Sequence, residues 1–300
     1  MTDSIRHALV LTAGLGTRLR PLTDVRAKPA IPVAGEPMIR RIIAWLAAHG
    51  VTELVLNLHH RPETLTVVVG DGADLSARVR YSWEPRILGS GGGPRQALPL
   101  LADPFFIVNG DTITNVDPAG LAEAHAASGA LVTLALVPNR EFERYGGVLL
   151  GTDGRVTGFV RRGPSAAGSF HYIGVQLAQR AAFDSIPAGE PARSIGGVYD
   201  TLMTEQPGSV QGFVCDAEFW DVGTTEDYWR TSVEFATRSD MADLGVGRRA
   251  RIDPSARILR SILWDDVQVG ADAVIEDCVL TDGVRVAAGS VHRGEILIRS

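Results

Sequence analysis

Lysine is almost missing from this 300-residue chain: of its 29 basic residues, 28 are arginine and one, Lys28, is lysine. Such a bias reflects the genome more than the fold, and it makes the single retained lysine worth a question. Cysteine is scarce too. Cys215 and Cys278 are too few for a disulfide framework or a zinc site of their own. There is no excess of positive charge: 35 acidic against 29 basic residues leave a net charge of −6. That balance argues against a nucleic-acid groove or an anionic membrane surface as partner. No apolar run is long enough to span a bilayer. The opening, Met1 to Arg6, is polar, lacks a secretory h-region and runs straight into a strand-like segment, so a soluble, cytoplasmic protein is expected. What remains is an ordinary apolar content of 45 % and a length with room for two domains.

The first part of the chain alternates strand and helix signals. His7 to Thr12 is a short apolar run ending at Ala13-Gly14, as a buried parallel strand would. Pro37 to Ala48 carries Met38, Ile39, Ile42, Ile43, Trp45 and Leu46 on a helical face, with Gly50 as its stop. Leu54 to Leu58, Phe105 to Val108 and Ala130 to Val137 read as further strands. Asp117-Pro118 opens a helix that Gly129 ends. This alternation predicts an α/β layered domain over residues 1–240. The glycine-rich stretch Tyr145 to Phe170 reads as strand-and-loop insertions covering one end of the sheet.

The tail follows a different rule. From Ile252 the chain repeats with a period of 17: Ala256 matches Ala273, Ile258 matches Ile275, Leu263 matches Leu280, Asp265 matches Asp282 and Val267 matches Val284. A third partial copy begins at Val286. Apolar residues about every six positions, with about three sides per turn, predict a β-helical coil. We expect residues 247–300 to form a short, hexapeptide-like segment of the left-handed β-helix type. So few turns cannot stand alone, so the coil should pack on the first domain or on another subunit, and a homo-oligomer is expected.

Gly14-Leu15-Gly16-Thr17-Arg18 follows the first strand directly. Such a loop lets backbone N–H groups close on phosphates, with Arg18 ready to pair with them. By itself a Gly-x-Gly also suits a plain strand-to-helix turn. It is neither the dinucleotide fingerprint, since position 19 is leucine, nor a P-loop, since Gly-Lys-Ser/Thr is absent.

The longer run decides. Arg18-Leu19-Arg20-Pro21-Leu22-Thr23, then Lys28-Pro29, then Pro32 through Ile39, resembles the signature of the sugar-nucleotide pyrophosphorylases, the NDP-sugar synthases that include mannose-1-phosphate guanylyltransferases. The resemblance implies a Rossmann-like nucleotidyltransferase domain that joins an NTP to a sugar-1-phosphate with release of pyrophosphate. It places the NTP on Ala13, Gly14, Leu15, Gly16 and Thr17, the pyrophosphate leaving group on Arg18, and the phosphates near the reacting centre on Lys28. Glu84 to Gly93 resembles the family's base-recognition loop and brings in Glu84, Gly89 and Ser90. Asn109-Gly110-Asp111 resembles its metal-binding strand end, and Asp221, before Thr224 and Thr225 as helix caps, resembles its second aspartate. Asp111 would thus touch both nucleotide and metal. Asp111 and Asp221 on one Mg²⁺ make chemical sense, because that ion takes few carboxylates and completes its shell with phosphate oxygens.

The acceptor side matches less closely. Tyr145-Gly146-Gly147 resembles the sugar-binding hairpin, but Arg161-Arg162-Gly163 stands where the family has Glu-Lys-Pro, and Tyr172-Ile173-Gly174 where it has Asn-x-Gly. The expected acceptor contacts are Asn109, Gly110, Gly146, Arg162 and Gly174, with Arg162 holding the acceptor phosphate. The departures leave room for an unusual sugar or a cyclitol phosphate. Glu84 stands where pyrimidine-using relatives often carry glutamine. A carboxylate only accepts, matching the adjacent donors of guanine, which favours GTP with UTP as runner-up. His59-His60 reads as a solvated loop after Leu58, and Asp265-Asp266 as a corner of the coil. A uridylyltransferase of the same family and a catalytically silent regulatory paralogue that senses NDP-sugar are the competing expectations; a silent copy would have lost part of the arginine, lysine and aspartate set.

Overall fold

The structure is a computed structural model that describes residues 5–241 and 243–299. Most of the polar opening segment, residues 1–4, lies outside the described residues. The chain forms two compact units. One holds the residues up to Gly14, Ile42–Pro62 and Val69–Trp220; the other holds Leu15–Arg41, Glu63–Val68 and the chain from Asp221 onward.

The first unit is built on a nine-stranded mixed sheet. Its strands are β1 (His7–Leu11), β2 (Glu53–Leu58), β3 (Arg78–Trp83), β4 (Phe105–Asn109), β5 (Val132–Pro138), β6 (Gly147–Leu150), β7 (Val156–Val160), β8 (Phe170–Ala178) and β9 (Val210–Val214). The central order β3-β2-β1-β4 is parallel, with Leu9 opposite both Val55 and Ile107. β8 then runs antiparallel to β4 and to β5, while β9 pairs parallel with β5. β6 and β7 form the hairpin expected from the glycine-rich middle. Leu9, Val55, Phe105, Ile107, Leu134 and Leu136 are fully or almost fully buried in one core with Phe183 and Tyr199. Each such side chain contributes about 1.5–3 kcal/mol of burial. The architecture is a Rossmann-like α/β fold with a central parallel sheet, as the alternation of elements predicts. The helix Met38–Ala48 also forms, with Gly50 at φ 81° beyond its end. In the helix Pro118–Ser128, Asp117 accepts from the N–H groups of Ala119 and Gly120, and Gly129 closes it at φ 64°.

The second unit contains the signature segment, the helix Thr225–Arg238 and the coil. Thr224 and Asp227 form a reciprocal capping box at the helix start. In the coil, three parallel ladders run through the tail, and every strand pairs with the strand 17 residues further on: Arg251–Ile252 with Gln268–Val269, Arg257–Leu259 with Val274–Glu276, Ile262–Leu263 with Val279–Leu280. The third copy follows in the same register, with Ile296 and Leu297 beside Val279 and Leu280. The sequence matches Ile258/Ile275 and Leu263/Leu280 are therefore neighbours in space, and Leu263, Val267, Ile275, Cys278 and Leu280 fill the interior. Asp266, Asp272 and Asp277 turn corners at positive φ, which aspartate tolerates better than most residues.

Candidate active site

In the first unit Ala13, Gly14, Gly110 and Asp111 follow the carboxyl ends of β1 and β4, where α/β sheets bind ligands. Thr12, just past β1, donates its backbone N–H to Asn57 Oδ1 at 2.6 Å and its hydroxyl to the Asn57 carbonyl. Ala13 is buried and Gly14 exposed after it. Gly110 donates its N–H to the Leu11 carbonyl, tying the Asn109-Gly110-Asp111 turn to the same strand end. Gly174 takes φ +79°, and a Cβ there would stand 2.8 Å from Asn109 Nδ2, so only glycine lets β8 approach that asparagine. Asp111 is half-exposed. Burial, with Tyr199 and Asp111 nearby, pushes the Tyr172 phenol well above its ordinary range. At the hairpin, Gly146 passes close to the chain carrying Arg162: a Cβ there would meet the Val160 carbonyl at 2.9 Å and the Arg162 nitrogen at 3.9 Å. Arg162 itself is exposed.

The glycine-rich segment corrects one expectation. Gly89–Ala97 is a helix rather than a loop. Its glycines allow close packing on the segment 190–194: Gly91 donates to the Ala192 carbonyl, and any side chain at Gly92 would run into the Glu190 carbonyl. Ser90 Oγ accepts from the Ser194 N–H at 3.0 Å and lies 2.9 Å from the Ser194 hydroxyl. Glu84 is fully buried. Its Oε1 accepts from Asn57 Nδ2 at 2.7 Å and its Oε2 from the Leu88 N–H at 2.8 Å. The carboxylate expected to face a guanine thus has both oxygens engaged by its own loop and by the end of β2.

Two further features were not apparent from spacing. His59, after β2, is half-buried rather than solvated and its Nδ1 lies 2.8 Å from the Glu84 carbonyl. His171 sits between Tyr145 and Phe219, with ring centroids 4.1 and 4.9 Å away. Burial, together with Arg144, pushes its pKa down to about 4, against a hydrogen bond that its ring donates to the Gly146 backbone carbonyl. Only Tyr145 was visible as part of a motif.

In the second unit the phosphate-type loop is a built object. Leu15 is exposed, Gly16 takes φ +61°, and Thr17–Leu19 forms a short 3-10 turn that leaves Thr17 and Arg18 exposed while Leu19 is buried. Thr23 donates its hydroxyl to the Gly16 carbonyl at 3.0 Å. A Cβ on Gly16 would stand 2.7 Å from Thr23 Cγ2 and 3.3 Å from Lys28 Cβ, so the loop folds directly over the lysine. Lys28 opens the turn Lys28–Ala30 and is only 8 % exposed. The Arg18 guanidinium lies 3.4 Å from the space a Cβ would fill at Gly223, two residues past the half-buried Asp221. The signature loop and the Asp221-Val222-Gly223 segment therefore meet within this unit.

Among the described residues, no group of three or more His, Cys, Asp or Glu side chains converges as a metal cage. Mg²⁺ needs no such cage, because it takes few carboxylates and the rest of its shell from phosphate and water.

Comparison with known proteins places the chain in a family. The sequence pattern of the family described as "Nucleotidyl transferase" matches residues 7–238. The chain is similar to the mannose-1-phosphate guanylyltransferase of Mycobacterium tuberculosis, at 31 % identity over 95 % of this chain and 82 % of that protein. It is similar also to the N-acetylmuramate alpha-1-phosphate uridylyltransferase of Neisseria meningitidis, at 35 % identity over 62 % of this chain and 80 % of that protein. Among solved structures, HddC from Yersinia pseudotuberculosis, complexed with GMP-PN, aligns with a TM-score of 0.65 at 22 % identity, covering 77 % of this chain and all of that one. With a matched pattern over most of its length, this chain belongs to the nucleotidyl transferase family, among the sugar-nucleotide pyrophosphorylases that its motifs resemble.

Proposed function

We propose that the chain transfers a guanylyl group from GTP to a sugar-1-phosphate or related cyclitol phosphate, giving an NDP-sugar and pyrophosphate. The observation that carries the reading is the seat of Lys28, a buried lysine under the Gly16 loop, in the unit where Arg18 lies beside Gly223. In an in-line attack of the acceptor phosphate on the α-phosphorus, no covalent enzyme intermediate is needed. Positioning and charge neutralisation then supply the catalysis. In this reading the backbone of Ala13 to Thr17 cradles the triphosphate, Arg18 holds the departing pyrophosphate and Lys28 neutralises charge at the α-phosphate. Arg162 orients the acceptor phosphate, while Asn109, Gly110, Gly146 and Gly174 shape the acceptor pocket. Asp111 and Asp221 would hold Mg²⁺, which when bound neutralises phosphate oxygens.

The guanine preference is supported by the near full-length similarity to the Mycobacterium enzyme. A uridylyltransferase is the second reading. It is favoured by the similarity to the Neisseria enzyme. Pyrophosphate release across the four NTPs and a panel of sugar-1-phosphates tests both. Turnover with GTP above the other nucleotides supports the first reading; higher kcat/KM with UTP replaces it with the second.

A further inference from the structure

Arg26 lies in the signature segment two residues before Lys28, yet its donors are taken up inside the protein. Its Nε donates to Asp282 Oδ2 at 2.7 Å, its Nη2 to Asp282 Oδ1 at 2.5 Å and to Asp265 Oδ2 at 3.0 Å, and its Nη1 to the Ala30 carbonyl at 3.3 Å. A guanidinium has five N–H donors, so four contacts leave little to offer a ligand. The side chain is 8 % exposed and stacks over the Trp264 ring at 5.3 Å. The two aspartates are one repeat apart and occupy the same corner of successive coil turns, so the 17-residue period sets them side by side. Asp265 also accepts from the backbone and side chain of Arg248, so the cluster of Arg26, Arg248, Asp265 and Asp282 is electrically balanced.

The far end of the same segment is held by the same coil. Trp264, fully buried, donates its indole N–H to the Tyr228 hydroxyl at 3.0 Å, and Tyr228 donates to the Pro32 carbonyl at 2.7 Å. Between these anchors, Arg26 and Pro32, lies the turn that carries Lys28. Arg26 itself bridges the turn by reaching from its own position to the Ala30 carbonyl, and Ala27 donates its N–H to Thr64 Oγ1 at 2.9 Å. On one side of the lysine the coil aspartates hold Arg26 directly, and on the other Tyr228 holds the Pro32 carbonyl and is itself braced by Trp264 of the coil.

We propose that Asp265 and Asp282 are positioning residues for the transfer reaction: through Arg26, the β-coil sets the place of Lys28. This rests on the reading of Lys28 as the α-phosphate lysine. In a charge-stabilised transition state, a cation displaced by a fraction of an ångström loses much of its effect, whereas binding of the whole nucleotide is spread over many contacts. Burial opposes the charge on Arg26, but the hydrogen bonds and charges of Asp282 and Asp265 outweigh it and raise its pKa.

The lone lysine supplies a readout independent of turnover, because an amine-reactive probe can label only Lys28 and the chain's α-amino group. Asp265→Asn and Asp282→Asn, singly and together, are compared with Asp277→Asn. That control breaks an exposed coil ion pair with Arg260 that does not touch the signature segment. In the double variant, kcat for pyrophosphate release should fall at least about tenfold while KM for the NTP changes less than about threefold. Peptide-resolved labelling of Lys28 by a succinimidyl ester should quicken at least about fivefold, as its seat loosens. Asp282→Glu, which restores the charge, should recover part of both effects. Asp277→Asn should match the wild type in both. A folded double variant, judged by circular dichroism, with wild-type labelling of Lys28 overturns the proposal, as does an equal effect of Asp277→Asn. If the wild type releases pyrophosphate from no NTP, the nucleotidyl-transfer reading fails, and unchanged or quickened labelling still decides whether the coil sets the lysine.

Discussion

At the scale of single residues, the contrast between Lys28 and Arg162 is one of room. Lys28 is almost fully covered, with Gly16 folded over its Cβ, while Arg162 lies exposed at the hairpin. An ammonium is a compact point charge; a guanidinium is broad and planar. Lys28→Arg should keep the fold and much of the nucleotide affinity while lowering kcat at least about tenfold, or roughly 1.4 kcal/mol of barrier. Arg162→Lys should be milder. Side-by-side kcat and KM measurements decide, and a milder Lys28→Arg would mean that charge alone matters at position 28. His171 offers a second test. With its pKa down at about 4 in the folded protein and 6.5 as the ordinary value, the unfolded chain carries the extra proton between those pH values. Stability therefore rises with pH across that window, and its contribution is fully present above about pH 6.5 and lost as the pH falls toward 4. A shift of this size corresponds to roughly 3 kcal/mol. His171→Phe, which keeps a ring between Tyr145 and Phe219, should flatten the pH dependence of urea unfolding between pH 4.5 and 7 by a measurable part of that amount. Parallel curves for the two proteins would show that His171 titrates normally.

At the scale of elements, much was readable because local chemistry decides it. Apolar runs marked β1, β2 and β4 but not the more polar β3, Asp117-Pro118 and Gly129 bounded a helix, and the 17-residue repeat foretold ladders whose partners are 17 residues apart. The glycine-rich segment was misread for a physical reason. Glycine weakens a helix in isolation, and only the passing backbone of 190–192 makes those glycines useful as helix surface. The partners of Glu84 were hidden for a related reason: Asn57 and Leu88 come from a neighbouring strand end and a local turn, and no spacing marks that pairing. Glu84→Gln tests whether these contacts or the base occupy the carboxylate. Its two oxygens accept from two donors, and an amide can serve only one of them, leaving its NH₂ against the other. The variant should lose about 1–3 kcal/mol of folding stability. Its ratio of kcat/KM for GTP and UTP should move by less than about threefold. A tenfold swing in that ratio, with stability intact, would return Glu84 to the base.

At the scale of the whole molecule, the second unit is assembled from stretches far apart in the chain. Arg26 meets Asp265 and Asp282 across 239 and 256 residues of sequence, a pairing that no local pattern announces even though the repeat itself placed the two aspartates in register. The tail is thus more than an appendage to the described signature segment. Deleting residues 247–300 would leave Arg26 without its carboxylates and Tyr228 without the Trp264 indole. Stranding one partner of a buried ion pair costs about 3–5 kcal/mol. A domain's whole stability is only about 5–15 kcal/mol. Removing Trp264, fully buried, also uncovers apolar surface that favours self-association. The truncated chain should therefore aggregate or change its subunit count, and it should release little pyrophosphate. Light scattering and turnover at matched concentration measure both. A truncated protein that stays soluble, keeps its mass and retains wild-type turnover would show that the signature segment holds its own shape and that the coil serves something else.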